Sequence, residues 1–359
     1  MGIYFSNNLK QQKIFNPSIL KSCKNIHISQ IALRCVLGLI ASQGFQVPVK
    51  SIVINDTAGA DTAIKLGAPL TAVTDILFRN FETGEFESGC TGSLIADNYV
   101  LTAQHCVQDV FFEDELSVLF RGDDSENSIL ADISVSNIFQ QDDTFSLLDG
   151  TDIAILQLAE AAPDSITPLK LFGFNPEYLI GSDATIVGFG FNGLGSVGHQ
   201  FTPDGLRWAA ENVIDFFGSA IDPVDNEVIG SNIFNLDFDD GTDYNNTLFG
   251  FGSSSSPLTN EGTTASADSG GPLLVEVNGE LLIAGVLSGG SIDTSEFGDI
   301  SWFTGVTEHR LFIEENGGEF VVDFLHTVTA SASTPEPTAT LGLFATAFGA
   351  FSLLKSKRK

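Results

Sequence analysis

The central part of this 359-residue sequence has few basic residues. Nine of the 16 lysines and arginines lie in the first 44 or the last five positions, so seven remain between residues 45 and 354. No acidic residue precedes position 45, and the centre is therefore more acidic than the net charge of −30 indicates. This argues against binding of nucleic acid through its phosphates. Such charge is typical of a solvated soluble surface, with adaptation to salt or loose cation binding as alternatives.

Cysteine is also scarce. Of the four cysteines, Cys23 and Cys35 lie near the amino terminus, which leaves Cys90 and Cys106 in the body of the chain. If the chain is exported, two cysteines in its body indicate one disulfide, and two buried free thiols are the alternative.

The two ends have the composition of sorting segments. Residues 1–44 are acid-free and lysine-bearing and include an apolar stretch at 31–41, which predicts an export leader. A buried amino-terminal helix is the alternative. Residues 45–70 are interpreted as a pro-segment or a mature amino-terminal extension. At the other end, a linker at 326–334 precedes residues 335–359, where Pro-Glu-Pro, a short apolar stretch and a basic cluster follow one another.

Between residues 71 and 325, short apolar runs alternate with Gly, Asn, Asp and Ser clusters. This spacing predicts an all-β sandwich or barrel. Residues 190–262 are the richest in turn-forming residues, and we expect long surface loops there. Examples of these apolar runs are 91–101, 116–120, 129–135, 153–158, 184–189, 273–277 and 281–287.

One stretch carries a candidate nucleophile. Ser269 stands between Asp268 and two glycines, ahead of an apolar run. The glycines allow a sharp bend and a close approach of substrate. Because a serine hydroxyl is a weak nucleophile by itself, it needs a base and an acid that orients the base.

His105 is the candidate base, because it follows a strand-like run and adjoins Cys106. A disulfide between the two body cysteines would hold its backbone. Asp152 is the candidate orienting acid, because it opens an apolar run and would lie at the edge of the core. The competing acids are Asp142, Asp143 and Asp149, and the other histidines, more typical of structural or exposed positions, are His27, His199, His309 and His326.

Three motifs, Leu-Thr-Ala-Gln-His-Cys, Thr-Asp-Ile-Ala-Ile-Leu and Ala-Asp-Ser-Gly-Gly-Pro-Leu, occur in this order. They resemble those of the chymotrypsin-like (trypsin superfamily) serine endopeptidases over about residues 71–316. The resemblance implies two antiparallel six-stranded β-barrels, at about 71–175 and 176–325, and a short carboxy-terminal helix. It also implies catalysis by His105, Asp152 and Ser269 in the cleft between the barrels, without a cofactor.

The same resemblance assigns the residues around the serine. The backbone N–H groups of Ala267 and Ser269 would form the oxyanion hole, although the family normally has glycine at the first position. Thr263 would be the base of the specificity pocket, which favours small or medium apolar side chains over Arg or Lys. Ser288 would support the orienting acid, and the edge strand that pairs with substrate would comprise Ser288, Gly289 and Gly290.

Asp268 matches the acid that in this family pairs with a new amino terminus after zymogen cleavage. No Arg/Lys-Ile-Val-Gly-Gly site precedes Cys90, and Lys50-Ser51-Ile52-Val53-Ile54 is a poor substitute for one. The resemblance therefore leaves the mode of activation open.

An acidic segment at 237–243 is a candidate Ca²⁺ site through Asp237, Asp239 and Asp240. It lacks the ligand spacing of an EF-hand, and a solvated loop is the favoured interpretation.

Residues 335–359 resemble the PEP-CTERM sorting signal of Gram-negative bacteria and cyanobacteria. This implies processing by an exosortase-type enzyme, transient or tail-mediated membrane association, and delivery to the periplasm, outer envelope or extracellular matrix. The resulting hypothesis is an exported serine endopeptidase acting on proteins or peptides. The alternatives are an inactive protease-fold binding or matrix protein and, less favoured, an esterase or other acyl hydrolase.

Overall fold

A computed structural model of the protein describes residues 52–322, except 109, 111–114, 123–127, 142–145, 201–203 and 224–226. The predicted leader, the linker and the sorting signal lie outside the described residues, so these assignments stay predictions. Within the described ranges, no helix is both long and apolar enough to cross a membrane.

Strands dominate the described chain, which confirms the all-β prediction. Within the described residues, the two α-helices are α1 (Ala60–Gly67) and the short α2 (Arg310–Glu315). The strands are β1 Ile52–Ile54, β2 Val73–Arg79, β3 Phe86–Ala96, β4 Tyr99–Thr102, β5 Leu116–Arg121, β6 Ile129–Gln140, β7 Ala154–Leu158, β8 Lys170–Phe172, β9 Asp183–Gly188, β10 Asn192–Leu194, β11 Gly198–Gln200, β12 Trp208–Val213, β13 Phe216–Asp222, β14 Glu227–Asp237, β15 Gly262–Thr263, β16 Pro272–Val277, β17 Glu280–Gly290, β18 Ile300–Gly305 and β19 Phe320–Val321.

Strands β2 to β7 form a closed antiparallel barrel in the order β2-β3-β4-β7-β6-β5. Closure pairs β2 with both β3 and β5, so every strand of this barrel has two neighbours. Apolar side chains fill the interior, with Ile76, Leu94, Val100, Phe120 and Ile155 fully buried. The barrel removes its own exposed edges and is a rigid support for the loops at its rim.

The later strands form a nine-stranded sheet with the main order β12-β9-β16-β17-β18-β14-β13, to which β8 and β19 are added. A separate sheet has the order β11-β10-β1-β15. The predicted second closed barrel of six strands is not confirmed, because the pairing path of the large sheet ends at β12 and β13.

The prediction of long surface loops across 190–262 is wrong for much of this range, which contains β10 to β14. Strand β14 pairs with both β13 and β18 and buries Ile233, Phe234 and Leu236. Its polar residues suggested a loop, but Asn235 is fully buried and its side chain bonds the carbonyl of Ser219. Polar side chains that satisfy backbone groups in this way are compatible with a central strand.

The predicted disulfide is confirmed. Cys90 in β3 is bonded to Cys106, which lies just after β4, and both residues are buried. The alternative of two free thiols is therefore wrong.

Removal of this disulfide should destabilise the protein. The bridge closes a loop with a sequence separation of 16 residues, and a loop of this length stabilises the fold by about 3 kcal/mol through reduced entropy of the unfolded chain. We expect this loss for the double variant Cys90→Ala/Cys106→Ala in guanidinium unfolding. The wild type under reducing conditions is the control and should match the variant. A loss well below about 1 kcal/mol would contradict the expectation.

Candidate active site

His105 is held by the end of the barrel. Strand β4 ends at Thr102, and a 3₁₀ turn over Gln104–Cys106 follows. The disulfide from Cys106 returns to β3, so the backbone of His105 is constrained on both sides. Its imidazole is partly exposed, with 20% of the side chain accessible.

Asp152 orients this imidazole. It precedes β7 and is fully buried. Its Oδ2 lies 2.7 Å from Nδ1 of His105, and its Oδ1 accepts the backbone N–H of His105 at 2.8 Å. Since an ionised carboxylate can only accept, Nδ1 carries the proton and Nε2 is left as the acceptor.

Asp149, one of the competing acids, is not in this position. Asp149 accepts hydrogen bonds from the backbone and hydroxyl of Thr151, as a turn residue does. Asp142 and Asp143 lie outside the described residues.

The turn that carries Ser269 is fastened to the barrel. The backbone N–H of Thr91 in β3 donates to the Ser269 carbonyl at 2.7 Å. The sulfur of Cys106 lies 3.7 Å from the same carbonyl oxygen and 3.9 Å from Nε2 of His105. The backbone of Ser269 and Nε2 of His105 therefore both lie next to the sulfur of Cys106.

Gly270 makes this approach possible. Its φ is +82°, and a Cβ there would lie 2.1 Å from Oγ1 of Thr102 and 2.3 Å from the carbonyl of Thr91. A larger residue would push the serine turn away from the barrel.

Within the described chain, the N–H groups of Ser266, Ala267 and Ser269 in the same turn make no hydrogen bond. The amides of Asp268, Gly270 and Gly271 donate to the carbonyls of Ala265, Leu287 and Asp268. No hydrogen bond of this kind from the N–H of Ala267 or Ser269 occurs within the described chain. These are the two donors that the sequence assigned to the oxyanion hole.

Ala267 adopts a φ of +70°, in the left-handed region that glycine favours. The Cβ of alanine therefore does not prevent this backbone conformation, but an L-residue adopts it at a cost of about 1 kcal/mol. The turn stores this strain beside the candidate nucleophile.

Asp268 points away from the serine into the interior. It is fully buried and accepts the backbone N–H groups of Ala265 and Gly190 at 2.9 and 2.8 Å, together with that of Ile52. Burial raises its pKa from 3.8 to about 7, although the three N–H donors oppose the shift. The candidate zymogen acid thus contacts the segment around Ile52, whose strand β1 pairs with β10 and β15.

A cavity of about 260 Å³ opens beside Ser269. Gly289 and Gly290 line it, and Asp293 contributes an exposed carboxylate. The placement of Thr263 at the pocket base needs correction. Thr263 is fully buried and bonded to Asp299 and Ser301, and the lining begins at the next residue. The lining residues are Thr264, Ala265, Ser266, Ser269, Leu287, Gly289, Gly290, Ile292, Asp293 and Ser295.

Two acids near this cavity were not predicted. Asp299 is fully buried behind Gly290, where a Cβ would lie 3.1 Å from its Oδ2. Burial raises its pKa to about 7, partly offset by donors that include Ser291 and Ile292. Both Asp299 and Asp293 follow Gly- or Ser-rich stretches and are indistinguishable in sequence from turn residues.

Ser288 does not support Asp152. Its hydroxyl bonds that of Thr304 at 2.9 Å, in the neighbouring strand. Gly289 and Gly290 pair with β18 on one side, and the ladder between β17 and β16 ends at Val286. The other side of these glycines is thus unpaired in the described region.

The remaining described histidines have structural settings. His309 is buried and bonds the carbonyl of Gly150. His199 lies 3.5 Å from the hydroxyl of Ser295. Cys90, His105 and Cys106 bring three potential metal-ligand atoms together, but a disulfide has no thiolate to offer a metal ion.

The family model for Trypsin matches residues 76–215. This match supports a trypsin-like domain of the chymotrypsin fold. It spans the barrel from within β2 and contains His105 and Asp152. It ends before Ser269, so the assignment of the serine depends on the motif and on the contacts described above.

Ala267→Gly should stabilise the protein by about 1 kcal/mol, because glycine has no Cβ penalty at positive φ. Ala265→Gly in the same turn is the matched control. Ala265 is absent from the described residues with positive φ, so its replacement should destabilise through the entropy of the unfolded chain. Urea unfolding measures both, and an equal loss in both variants would contradict the strained conformation of Ala267.

Asp268 should make stability depend on pH. Its native pKa is raised from 3.8 to about 7, so between these values the native state holds a proton that the unfolded chain has released. The free energy of unfolding therefore falls as pH rises through this window. Asp268→Asn should flatten this decrease in denaturant unfolding across the same range. The exposed substitution Asp164→Asn should keep the wild-type slope, and an unchanged slope in Asp268→Asn would refute the assignment.

Proposed function

We propose that the protein is an exported serine endopeptidase that acts through Ser269, His105 and Asp152. One observation carries the proposal: buried Asp152 accepts both N–H groups of His105, while the Ser269 turn is fastened beside Nε2 of the same histidine. A base oriented by a buried acid, next to a serine on a glycine turn, is the arrangement that nucleophilic acyl transfer requires.

In the first step, the hydroxyl of Ser269 attacks the scissile carbonyl carbon, and its proton passes to Nε2 of His105. Asp152 stabilises the resulting imidazolium through the 2.7 Å contact to Nδ1. The free N–H groups of Ala267 and Ser269 bind the oxyanion. Loss of one such donor typically costs about 100- to 1,000-fold in rate, so the conformation of Ala267 matters for activity.

In the second step, the carbon–nitrogen bond breaks and His105 returns the proton to the leaving amine. An ester on Ser269 remains. A water molecule then gives a proton to His105 and attacks this ester, and the proton returns to the Ser269 oxygen as the acid product leaves. This scheme requires no cofactor.

The substrate would lie along the unpaired side of Gly289 and Gly290 and place one side chain in the cavity beside Ser269. The sequence predicts a preference for small or medium apolar side chains. Asp293 adds negative charge to the cavity wall, which also favours a basic side chain at its mouth.

Export is supported by the disulfide, because such bonds persist in oxidising compartments. The leader at 1–44 and the PEP-CTERM-like segment at 335–359 would direct the chain through the export machinery to an exosortase-type enzyme. The mature protein would then act in the periplasm, the outer envelope or the extracellular matrix.

A second candidate is a catalytically inactive protease-fold protein that binds envelope or matrix components. The missing activation motif favours this alternative. The free N–H groups of Ala267 and Ser269 favour an enzyme, since a binding protein has no need of strained backbone there. An esterase is the lesser alternative, because a triad by itself does not distinguish esters from amides.

Fluorophosphonate labelling separates these candidates. Wild type should be labelled at Ser269, and Ser269→Ala should not be labelled. Ser266→Ala removes another hydroxyl lining the same cavity and is the matched control, which should keep the label. Asp152→Asn should label far more slowly, since it favours the wrong tautomer of His105. Labelling of processed wild type no better than that of Ser269→Ala would exclude the enzyme.

Hydrolysis assays then separate the two enzyme classes. We expect labelled wild type to cleave peptide amides, and cleavage of esters alone would favour the esterase.

A further inference from the structure

Four carboxyl groups are buried together where β14 ends, far along the chain from the catalytic histidine. Each side chain belongs to a residue that is less than one-tenth exposed. We call this group the acidic cluster. Its members are Asp215, Asp237, Asp239 and Glu261.

Backbone hydrogen bonds hold these carboxyl groups near one another. The N–H of Asp237 donates to Oδ2 of Asp215 at 3.1 Å, and the N–H of Asp239 donates to Oε1 of Glu261 at 2.7 Å. Two alternate residues at the end of β14 are thus each bonded to an acid from another segment. The predicted solvated loop is wrong for Asp237 and Asp239, which are both buried.

No positive side chain compensates the acidic cluster within the described residues. The ion pairs found there are elsewhere, and none includes a member of the cluster. Because these buried carboxylates have no counter-charge, a cation bound among them would be strongly stabilised.

Two buried oxygen atoms at the cluster lack partners. Oδ1 of Asp239 and Oδ1 of Asn246 accept no hydrogen bond within the described chain, and both residues are more than nine-tenths buried. The carboxyl group of Asp239 faces Asp237 and Glu261, whose charges act on it. Buried acceptors of this kind are rare in native proteins and call for a specific explanation.

Asn246 is tied to the same cluster through Ser253. The Nδ2 group of Asn246 donates to the carbonyl of Ser253, and the Ser253 hydroxyl donates to Oδ1 of Asp237 at 3.1 Å. The unpartnered amide oxygen therefore belongs to a residue anchored one hydrogen-bonded step from an acidic member.

We propose that the acidic cluster is a Ca²⁺ site in which Asp239 Oδ1 and Asn246 Oδ1 are ligands. Oxygen-only donors that combine carboxylate and amide groups suit a hard cation, and Ca²⁺ tolerates irregular coordination better than Mg²⁺ does. Zinc is disfavoured, since the cluster contains no His or Cys.

The geometry limits how many carboxylates bind directly. Among the described residues, one group of three has ligand atoms that all lie within 4.8 Å of one another. This group is Cys90, His105 and Cys106, around the disulfide. No three carboxylates of the acidic cluster converge that closely. The ion would therefore take at most two of them, and amide, backbone and water oxygens would complete its shell.

Binding would connect β14 to the segment that leads into the cavity. Glu261 directly precedes β15, and Thr263 in that strand bonds Asp299 behind Gly290. An ion at the cluster would hold this segment independently of whether Ser269 is catalytic, so the inference does not depend on the proposed function.

The test uses the full chain after treatment with a chelator. Calorimetric titration with CaCl₂ at mildly alkaline pH should show one site per chain, and Ca²⁺ should raise the melting temperature more than Mg²⁺ at equal concentration. Asp239→Asn should weaken Ca²⁺ binding at least about tenfold, because one ligand charge is lost. Without Ca²⁺ this variant should melt no lower than wild type, since it removes an uncompensated buried charge.

Asp240→Asn is the matched control. Asp240 is adjacent in the acidic segment, but its carboxylate is occupied by Thr242 and Asn245. This variant should bind Ca²⁺ as wild type does. The proposal is overturned if wild type shows neither binding heat nor a Ca²⁺-dependent melting shift. It is equally overturned if Asp239→Asn binds as tightly as Asp240→Asn.

Discussion

The hydrogen bond from the Thr91 amide to the Ser269 carbonyl connects the serine turn to the barrel, and the rest of the site depends on it. Strand β3 carries Thr91 next to Cys90, and Cys90 is bonded to the neighbour of His105. One strand therefore positions both the candidate base and the candidate nucleophile. The hydrogen bond from Thr91 to Ser269 requires glycine at position 270, since any side chain there would collide with β3 or the end of β4.

Buried carboxylates recur through the acidic body, and the structure satisfies them in different ways. Asp152 is satisfied by two nitrogens of a single histidine. Asp268 and Asp299 are surrounded by backbone and hydroxyl donors, which reduce but do not cancel the rise in pKa caused by burial. Asp239 keeps an unpartnered oxygen, and this difference is the reason for proposing a cation there and not at the other sites.

Local patterns predicted the apolar runs of β5, β6 and β7, because a short apolar run bounded by turn residues is typical of a strand. They did not predict β2, and the run at 91–101 covers parts of both β3 and β4. They failed for β14, where Asn and Asp are buried and bonded to backbone groups. The family resemblance also assigned Ser288 and Thr263 to positions that differ from those in the structure. Both face neighbouring strands, and their partners Thr304 and Asp299 are set by the pairing of β17 with β18. The side-chain partner of such a residue depends on strand register, so residue composition does not predict it.

The sequence by itself determined the all-β class, the order of His105, Asp152 and Ser269, and the pairing of the two body cysteines. These follow from residue types and short-range spacing. Only the tertiary structure decided that Ala267 takes a left-handed conformation, that Asp299 lies behind Gly290, and that Asp239 is buried among other acids. The physical reason is that these features depend on packing between segments distant in the chain, and the local pattern of a segment does not encode its neighbours in space.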